Sequence, residues 1–312
     1  MQNETIGKVV IDKTYYPNED RYTDGDETEE RLLQIVSGAV GDDYTTAIAE
    51  NYSWPILYHL SVIRENILNW YPFRAGEQIL EIGAGCGAVT GALLKTGTEV
   101  TAVDLSLRRS RINAYRHQNA DNLKILVGAS EEILPNLQEK FDHVTLIGVL
   151  EYAAQFSDVE QPFHYILKEI HQVLKENGRL WVAIENKLGL KYLAGCREDH
   201  TGRYFEGIEG YPHEDGPRTF SRKEIIDLAK ETGFQCRFYY PYPDYKFPNR
   251  VYSDDYLPQE GELFRNWQNL DADRVQLFDE RAAFDSFIKA GLFPEVSNSF
   301  LVEMKKTGGK SK

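Results

Sequence analysis

The segment from Ile79 to Gly87 constrains the fold more than any other part of this 312-residue chain. It reads ILEIGAGCG, a short apolar run followed by glycines at alternate positions, and a predicted helix comes directly after it. Glycine lets a backbone turn tightly and approach a ligand closely, and the start of a helix offers free N–H groups. The segment is therefore typical of a strand, a ligand-binding loop and a helix in an α/β fold.

Two acidic residues indicate which ligand the loop binds. The next predicted strand ends at Asp104, roughly 20 residues further on, where an acid reaches the ribose hydroxyls of an adenosine ligand. The glycines stand two apart, whereas a dinucleotide fingerprint places its third glycine three positions after its second. The carboxylate of Glu81 would repel a pyrophosphate but would accept hydrogen bonds from the amino group of a methionyl moiety. These features favour a cationic adenosine cofactor.

Short apolar runs alternate with helical stretches from residue 78 onwards, which predicts βαβ units in an α/β fold with a doubly wound, mostly parallel sheet of seven strands. The strands are predicted at residues 78–82, 99–104, 123–127, 142–147, 179–185, 234–240 and 299–304. Helices are predicted between most of them, at residues 88–95, 107–117, 131–138, 161–175 and 221–232. Residues 54–71 have apolar side chains at three- and four-residue steps, which predicts one amphipathic helix.

The domain organisation follows from composition and from the spacing of these elements. Residues 1–53 are interpreted as an acidic, helical N-terminal appendage, residues 54–304 as the main domain, and residues 305–312 as a flexible tail. Two long connections, residues 186–220 and 241–297, follow the fifth and sixth strands. Connections of this length are rare in compact domains unless they build binding sites, and ligands of such sheets bind beyond the carboxyl ends of strands. We expect both insertions to help form the substrate pocket.

Several stretches resemble the motifs of class I S-adenosylmethionine (SAM)-dependent methyltransferases. Residues 80–94 (LEIGAGCGAVTGALL) and residues 100–106 (VTAVDLS) resemble the first two motifs of that family. Residues 128–131 follow the third strand, where the family lines the adenine, and residues 141–152 resemble its fourth-strand motif. Residues 167–180 resemble the helix, turn and fifth strand that come next. The resemblance implies a Rossmann-like methyltransferase with SAM as its cofactor.

The resemblance also implies which residues bind the cofactor: Glu81, Gly83, Ala84, Gly85, Gly87, Asp104, Leu105, Ser130, Glu131, Gly148 and Val149. The chain departs from the family at the adenine strand, because many members have Asp where this chain has Ala129. A contact to the adenine amino group then falls to Ser130, Glu131 or the backbone. A second departure is the long segment before the final strand, which the family usually places in an antiparallel hairpin with the sixth.

Residues 185–192 and 239–245 resemble, less specifically, methyltransferases that accompany glycosyltransferases in bacterial surface-polysaccharide gene sets. This resemblance implies a sugar hydroxyl as the methyl acceptor, a role in polysaccharide biosynthesis and an association with a glycosyltransferase. The residues predicted to bind the acceptor are Glu151, Glu185, Asn186, Tyr192, Tyr240 and Tyr242. A tyrosine ring with its polar hydroxyl suits both the C–H surfaces and the hydroxyls of a sugar, although packing at strand edges explains tyrosines equally well.

Methyl transfer to a hydroxyl needs a correctly oriented acceptor and a base that takes its proton. We predict His200, in the first insertion, as this general base, because an unperturbed histidine titrates near neutral pH. The alternative for His200 is a histidine on a surface loop. Methyl transfer requires no metal, and the three cysteines lack the spacing of a zinc site, so no metal site is predicted.

The net charge of −14 repels polyphosphates and anionic membranes, so nucleic acid is not an expected partner. The most basic stretch consists of Arg108, Arg109, Arg111 and Arg116, and we interpret it as the solvated face of a helix. No apolar run reaches the ~18 residues that a membrane span needs, and the first residues lack the apolar core of a signal peptide. Together with an odd number of unpatterned cysteines, this predicts a cytoplasmic protein without membrane insertion.

Three further functions are open at this point. The acceptor could be a small-molecule carboxylate or a peptide, or the chain could be a SAM-binding scaffold without catalysis. The third alternative is an NAD(P)-dependent sugar-nucleotide oxidoreductase. The glycine spacing and Glu81 count against it, and Tyr152 and Tyr192 have no lysine four residues on, so the usual Tyr-x-x-x-Lys pair is absent there.

Overall fold

A computed structural model describes residues 3–20, 22–39, 41, 43–156, 159–213, 216–266 and 273–307. The chain forms two compact units. Unit 1 comprises residues 1–145 and 173–178, and unit 2 comprises residues 146–172 and 179–312. The last five residues of the predicted tail lie outside the described part of the chain.

Unit 1 contains a largely parallel sheet. Its strands are β1 (Asn3–Ile6), β2 (Val9–Tyr15), β3 (Gln78–Ile82), β4 (Glu99–Asp104) and β5 (Leu123–Gly128). Their order in the sheet is β1-β2-β5-β4-β3, and only β1 is antiparallel to its neighbour. The carboxyl ends of β3 and β4 therefore lie side by side at one edge. A further strand, β6 (Phe141–Ile147), begins in unit 1 and ends in unit 2.

The helices of unit 1 are α1 (Asp26–Gly38), α2 (Thr45–Glu50), α3 (Trp54–Leu60), α4 (Thr90–Leu94), α5 (Leu107–Arg116) and α6 (Ser130–Ile133). Apolar side chains of α1, α3 and α5 form one buried cluster, which includes Leu32, Val36, Ile56, Leu60 and Ile112. The N-terminal residues are thus packed into the core of unit 1 by the hydrophobic burial of α1 and α3.

Two predictions for the first 71 residues need correction. The sequence indicated no strand before residue 78, but β1 and β2 form a hairpin and β2 pairs in parallel with β5. The single helix predicted for residues 54–71 is interrupted at Ser61, whose backbone is extended. The side chain of Ser61 accepts a hydrogen bond from the N–H of Ile63 and begins a 3₁₀ helix over Val62–Ile67. Ser61 thus competes locally with continuation of the α-helix.

Unit 2 contains most of β7 (Leu174–Glu185), together with β8 (Phe234–Tyr242), β9 (Arg250–Ser253) and β10 (Ser299–Lys306). Strand β10 lies between β7 and β8 and is antiparallel to both, and β9 is antiparallel to β8. This confirms the antiparallel final strand that the family resemblance implied. The seven predicted strands are all present, and β1, β2 and β9 are additional to them.

The helices of unit 2 are α7 (Ala153–Phe156), α8 (Pro162–Val173, ending at the unit boundary), α9 (Leu190–Leu193), α10 (Arg222–Glu231), α11 (Glu280–Lys289) and α12 (Phe293–Val296). Helix α10 begins with the predicted capping box. The side chain of Ser221 accepts from the N–H of Glu224, and the Glu224 carboxylate accepts from the N–H of Ser221. None of the described helices is long and apolar enough to cross a bilayer.

Candidate cofactor and acceptor sites

The glycine-rich loop of unit 1 requires glycine at several positions. Gly83, Gly85 and Gly87 have φ values of 71°, 53° and 76°, in the left-handed region that favours glycine. At Gly87, a Cβ atom would lie only 2.3 Å from Oδ1 of Asn113 on α5. Both this φ value and the close approach of α5 exclude a larger side chain at Gly87. The loop therefore has the tight conformation that the sequence predicted.

Asp104 holds this loop from the end of β4. One carboxylate oxygen accepts from the N–H of Gly85 at 2.7 Å, and the other accepts from the N–H of Ser106 at 2.9 Å. A carboxylate can accept about four hydrogen bonds, so both oxygens can still receive the hydroxyls of a ribose. The carboxylate thus lies next to the loop, where a residue that binds an adenosine ribose belongs.

Glu81 is buried beneath the loop, 4% exposed. Its carboxylate accepts from Oγ1 of Thr90 at 2.6 Å, and Oγ1 of Thr90 in turn accepts from Nδ2 of Asn113 at 3.2 Å. Burial raises the pKa of Glu81 to about 7, against the opposing effect of the Thr90 hydrogen bond. A nearby cationic group on a ligand would favour the ionised form of Glu81.

The other residues predicted to bind cofactor are divided between the units. Leu105 follows Asp104 and is half-buried, and Ser130 and Glu131 begin α6 at the end of β5, all in unit 1. Gly148 and Val149 follow β6 in unit 2. Gly148 has a φ of 68°, and a Cβ atom there would lie 2.8 Å from Oη of Tyr245, so glycine is required by both conformation and space.

Two of the four arginines of the basic stretch on α5 are buried, which corrects the interpretation of that stretch as solvated for Arg109 and Arg116, whereas the side chains of Arg108 and Arg111 are 35% and 40% exposed. Arg109 and Arg116 are 7% and 8% exposed. Nε of Arg109 donates to Glu29 at 3.0 Å, and its guanidinium also contacts Asp24. Oδ1 of Asp20 accepts from the N–H of Leu107, at the first turn of α5. The acidic N-terminal residues therefore pair with the basic helix.

This pairing extends to His59. Nε2 of His59 lies 2.6 Å from Oδ2 of Asp24, the same carboxylate that contacts Arg109. Burial lowers the pKa of His59 to about 4, although Asp24 opposes the shift. The hydrogen bonds of Asp24 to His59 and Arg109 outweigh its own burial and lower its pKa to about 2. The opposite charges of residues 20–29 and of α5 were visible in the sequence and could have indicated this contact.

Unit 2 contains a buried polar cluster, formed by Glu151, Glu185 and His200. Glu151 lies in a 3₁₀ turn after β6, Glu185 is the last residue of β7, and His200 belongs to the first insertion. Both glutamates are fully buried, and the His200 side chain is 7% exposed. One ligand atom from each residue lies within 4.8 Å of the others, and Nε2 of His200 is 3.5 Å from Oε2 of Glu185. The structure thus brings the predicted base together with two predicted acceptor-binding residues.

Lysines from both insertions surround this cluster. Nζ of Lys246 lies 2.9 Å from Oε1 of Glu185 and 3.0 Å from Oδ2 of Asp199. Asp199 also accepts from Nζ of Lys191 at 2.6 Å and from Oη of Tyr192 at 3.2 Å. Sequence reasoning missed Lys191, Asp199 and Lys246, because single charged residues in long insertions carry no pattern that predicts their meeting.

Burial and the neighbouring charges shift the pKa values of the three cluster residues in different directions. Burial, reinforced by the charge of Glu185, raises the pKa of Glu151 to about 8. Lys246 and His200 outweigh burial at Glu185 and hold its pKa well below the usual range. Burial lowers the pKa of His200, but its contacts with Glu185 outweigh that effect and raise the pKa to about 9.

The remaining residues predicted to bind the acceptor have protein partners in unit 2. The Asn186 amide donates to the carbonyls of Glu295 and Ser297. Oη of Tyr240 donates to Asp254 at 2.5 Å, and Oη of Tyr242 accepts from the N–H of Arg265 at 2.6 Å. Tyr240 is fully buried and Tyr242 is 6% exposed. Their role in acceptor binding stays a prediction.

Comparison with known proteins gives three kinds of match. The family described as a methyltransferase domain matches residues 80–180. The ubiquinone biosynthesis O-methyltransferase of Pelagibacter ubique is 27% identical over 182 residues, covering 56% of this chain and 71% of the relative. The ribosomal RNA small subunit methyltransferase A of Borrelia garinii subsp. bavariensis is 23% identical over 186 residues, covering 59% of this chain and 57% of the relative. The demethylmenaquinone methyltransferase of Tropheryma whipplei is 31% identical over 108 residues, covering 35% of this chain and 41% of the relative.

Solved structures give further matches. A SAM-dependent methyltransferase from Archaeoglobus fulgidus has a TM-score of 0.49 and 14% identity, with 85% of this chain and 100% of that chain covered. The matched methyltransferase domain, residues 80–180, contains the glycine loop and Asp104. The loop geometry described above, with Glu81 beneath it, is that expected for the SAM motif. The chain therefore contains a methyltransferase domain over residues 80–180, with the features of a class I SAM-dependent enzyme.

Proposed function

We propose that this methyltransferase transfers the methyl group of SAM to a hydroxyl of a small-molecule or glycan acceptor, and that the acceptor is a sugar hydroxyl in polysaccharide biosynthesis. The observation that carries the proposal is the buried cluster of Glu151, Glu185 and His200 in unit 2. Carboxylates and imidazole are the groups that accept hydrogen bonds and protons from hydroxyls.

In this proposal unit 1 holds the cofactor. Asp104 accepts the ribose hydroxyls, and the N–H groups and tight turn of the glycine loop receive the rest of the adenosine half. Glu81, ionised by contact with the cationic methionyl end of SAM, holds that end of the cofactor. Ser130, Glu131 and the backbone beside Ala129 contact the adenine.

The reaction is an in-line displacement at the methyl carbon. The acceptor oxygen forms a bond to that carbon, the carbon–sulfur bond breaks, and S-adenosylhomocysteine (SAH) leaves with the bonding electron pair on sulfur. The hydroxyl proton goes to the neutral form of His200, which we propose as the general base and which is the minor form below the His200 pKa of about 9. Glu185 lies 3.5 Å from Nε2 of that imidazole and stabilises the imidazolium that forms.

Two observations support a hydroxyl on a sugar. Residues 185–192 and 239–245 resemble methyltransferases of polysaccharide gene sets, and both insertions contribute to the unit 2 cluster through His200 and Lys246. Buried carboxylates, each with two acceptor oxygens, suit the hydroxyls of a sugar. Association with a glycosyltransferase that makes the acceptor is part of the same proposal.

A second candidate is the phenolic hydroxyl of a quinone precursor. The ubiquinone biosynthesis O-methyltransferase of Pelagibacter ubique is 27% identical to this chain over 182 residues, and its name indicates methylation of an oxygen. RNA is a weaker candidate despite the rRNA methyltransferase relative, because the net charge of −14 repels a polyanion.

The test measures SAH release with two acceptor panels, sugar nucleotides with short oligosaccharides and dihydroxybenzoate-type phenols. Turnover with a sugar, lost in Asp104→Ala, is the expected result. The matched control is Asp121→Ala, since Asp121 is an exposed aspartate of the same unit whose side chain pairs only with exposed Lys8 in the described contacts. Turnover only with phenols would replace the sugar by the second candidate. SAM binding without turnover on either panel would favour the scaffold.

A further inference from the structure

The three residues of the unit 2 cluster have the chemistry and spacing of a metal-binding set. Each offers one ligand atom, a carboxylate oxygen or an imidazole nitrogen, and these atoms lie within 4.8 Å of one another. Two ligands of one transition-metal ion lie at most about 4.4 Å apart, because each bond is about 2.0 to 2.2 Å long. Nε2 of His200 and Oε2 of Glu185, 3.5 Å apart, already satisfy this limit, and the distances to the Glu151 oxygen are at most 4.8 Å.

Several of the ligand atoms also lack a hydrogen-bond partner among the described residues. Both carboxylate oxygens of Glu151 are buried without a hydrogen bond, and the same is true of Nε2 of His200. A buried carboxyl group without a hydrogen-bond partner is costly, because burial removes the hydrogen bonds that water would otherwise make to it. Glu151 is fully buried, so bulk water does not supply the missing contacts. The arrangement therefore indicates a ligand small enough for a closed site.

Lys246 leaves room for an ion at Glu185. Its Nζ lies 2.9 Å from Oε1, whereas the other oxygen, Oε2, faces Nε2 of His200 at 3.5 Å. Lys246 also contacts Asp199, so its charge is shared between two carboxylates. One oxygen of Glu185 can thus pair with the lysine while the other binds a cation.

The second nitrogen of His200 has an oxygen partner of its own. Nδ1 lies 3.1 Å from Oη of Tyr152, and the two rings meet edge to face with centroids 5.2 Å apart. A histidine that binds a metal usually donates its other ring N–H to an oxygen, which fixes the ring orientation and the tautomer. With Nδ1–H donating to Tyr152, the Nε2 lone pair points to the carboxylates.

We propose that Glu151, Glu185 and His200 bind one divalent transition-metal cation, and that this cation also binds the acceptor hydroxyl. Two carboxylate oxygens and one imidazole nitrogen suit Mn²⁺, Co²⁺, Fe²⁺ or Zn²⁺ better than Ca²⁺ or Mg²⁺, which prefer oxygen alone. Protein ligands from three residues leave positions open for a substrate oxygen.

The second half of this inference rests on the proposed function, and the first half does not. Nε2 of His200 cannot bind a cation and take a proton at the same time. In the ion-loaded protein the cation lowers the pKa of the bound hydroxyl, and His200 acts as a ligand instead of as the base. Cation dependence therefore separates the two roles of His200.

The experiment uses the full chain after treatment with a chelator and titrates it with Mn²⁺, followed by the loss of the free-ion signal in electron paramagnetic resonance. We expect one bound Mn²⁺ per chain, and a fall in affinity of about tenfold or more in Glu151→Gln. Glu280→Gln is the matched control, because Glu280 is another buried glutamate of unit 2 with an unpartnered oxygen. It belongs to no set of three such ligands among the described residues, so its variant should bind Mn²⁺ like the wild type.

A SAM-induced rise in unfolding temperature shows whether a variant is folded, and His200→Gln replaces Glu151→Gln if that variant is not. Failure of the wild type to bind millimolar Mn²⁺, Co²⁺ or Zn²⁺ would overturn the metal site, as would unchanged binding in Glu151→Gln. SAH release that is the same before and after chelation would overturn the cation's role in catalysis. No SAH release with any acceptor, by a chain that binds Mn²⁺, would instead overturn the proposed function.

Discussion

Two buried polar clusters in this chain differ in whether their charges have partners. Around Arg109 in unit 1, the carboxylates of Asp24 and Glu29 contact the guanidinium, and His59 contacts Asp24. In unit 2, Glu151 has no hydrogen-bond partner for either oxygen. A cluster whose groups satisfy one another stabilises a fold, whereas a buried group left without a partner indicates a ligand. The cluster of unit 1 thus stabilises the fold, and the cluster of unit 2 is the one that we propose a ligand completes.

The largest expected effect tests whether the unit 1 cluster is structural. Arg109→Leu removes the buried guanidinium that the carboxylates of Asp24 and Glu29 contact, and it should lower the free energy of unfolding by about 3 to 5 kcal/mol. Urea unfolding followed by circular dichroism measures this. Arg111→Leu is the control, because the Arg111 side chain is 40% exposed and its partner Glu4 also pairs with Lys13, so its loss should cost below about 1 kcal/mol. An equal loss of unfolding free energy in the two variants would contradict the claim that the buried cluster around Arg109 stabilises unit 1.

The next largest effect is on the SAM affinity of the glycine loop and Asp104 in unit 1. Asp104→Ala removes the acceptor of the ribose hydroxyls and of the Gly85 N–H. We expect SAM affinity to fall about 100-fold, which is about 2.7 kcal/mol. Isothermal titration calorimetry measures it, with Asp121→Ala as the control. An affinity within a factor of three of the wild type would contradict the ribose assignment.

A smaller effect is the pH dependence of SAM binding through Glu81, whose raised pKa is about 7. Only the ionised carboxylate pairs with the ammonium of SAM, so SAM affinity should rise about tenfold from pH 6 to pH 8. Without ligand, the free energy of unfolding changes with pH in the opposite direction to the SAM affinity. The folded chain binds this proton more tightly than the unfolded chain, so the free energy of unfolding falls as pH rises from 4.5 to about 7. Glu81→Gln should abolish both trends, and a pH dependence that persists in that variant assigns it to another group.

The smallest effect tests how much the Thr90 hydrogen bond to Glu81 contributes to SAM affinity. Thr90→Val removes the hydroxyl that donates to the Glu81 carboxylate. We expect a loss of SAM affinity of about fivefold, since one such hydrogen bond contributes about 1 kcal/mol, with little change in the maximal rate. Kinetics of SAH release at varied SAM concentration give both values. A changed maximal rate with unchanged SAM affinity would be the opposite of the expected pattern.

The parts predicted well from the sequence are those governed by local periodicity and by a local loop. The strand, glycine loop and helix around Gly83–Gly87 need only nearby residues, and the positive φ values there confirm why glycine is required. Strands β3, β4 and β5 begin at the predicted residues for the same reason. SAM was predictable because Glu81 and Asp104 are placed by the same local segments.

The parts that sequence reasoning missed depend on contacts between distant residues. Strand β2 was missed because its pairing with β5 is a tertiary contact, and Arg109 was interpreted as solvated because its partners lie about 80 residues away. The cluster at Glu151 unites residues from the ends of β6 and β7 with both insertions. The sequence indicated Glu151, Glu185 and His200 separately, but only the fold shows that they meet.

The most direct test of the central claim measures SAM affinity and SAH release on one variant, Glu151→Gln, beside Glu280→Gln. If unit 1 binds the cofactor and the unit 2 cluster acts on the acceptor, Glu151→Gln should keep its SAM affinity within about a factor of two. Its kcat/KM for the acceptor should then fall about 100-fold, the size of losing about 2.7 kcal/mol of transition-state stabilisation. Unchanged turnover in Glu151→Gln, or a loss of SAM affinity as large as the loss of turnover, would contradict the account.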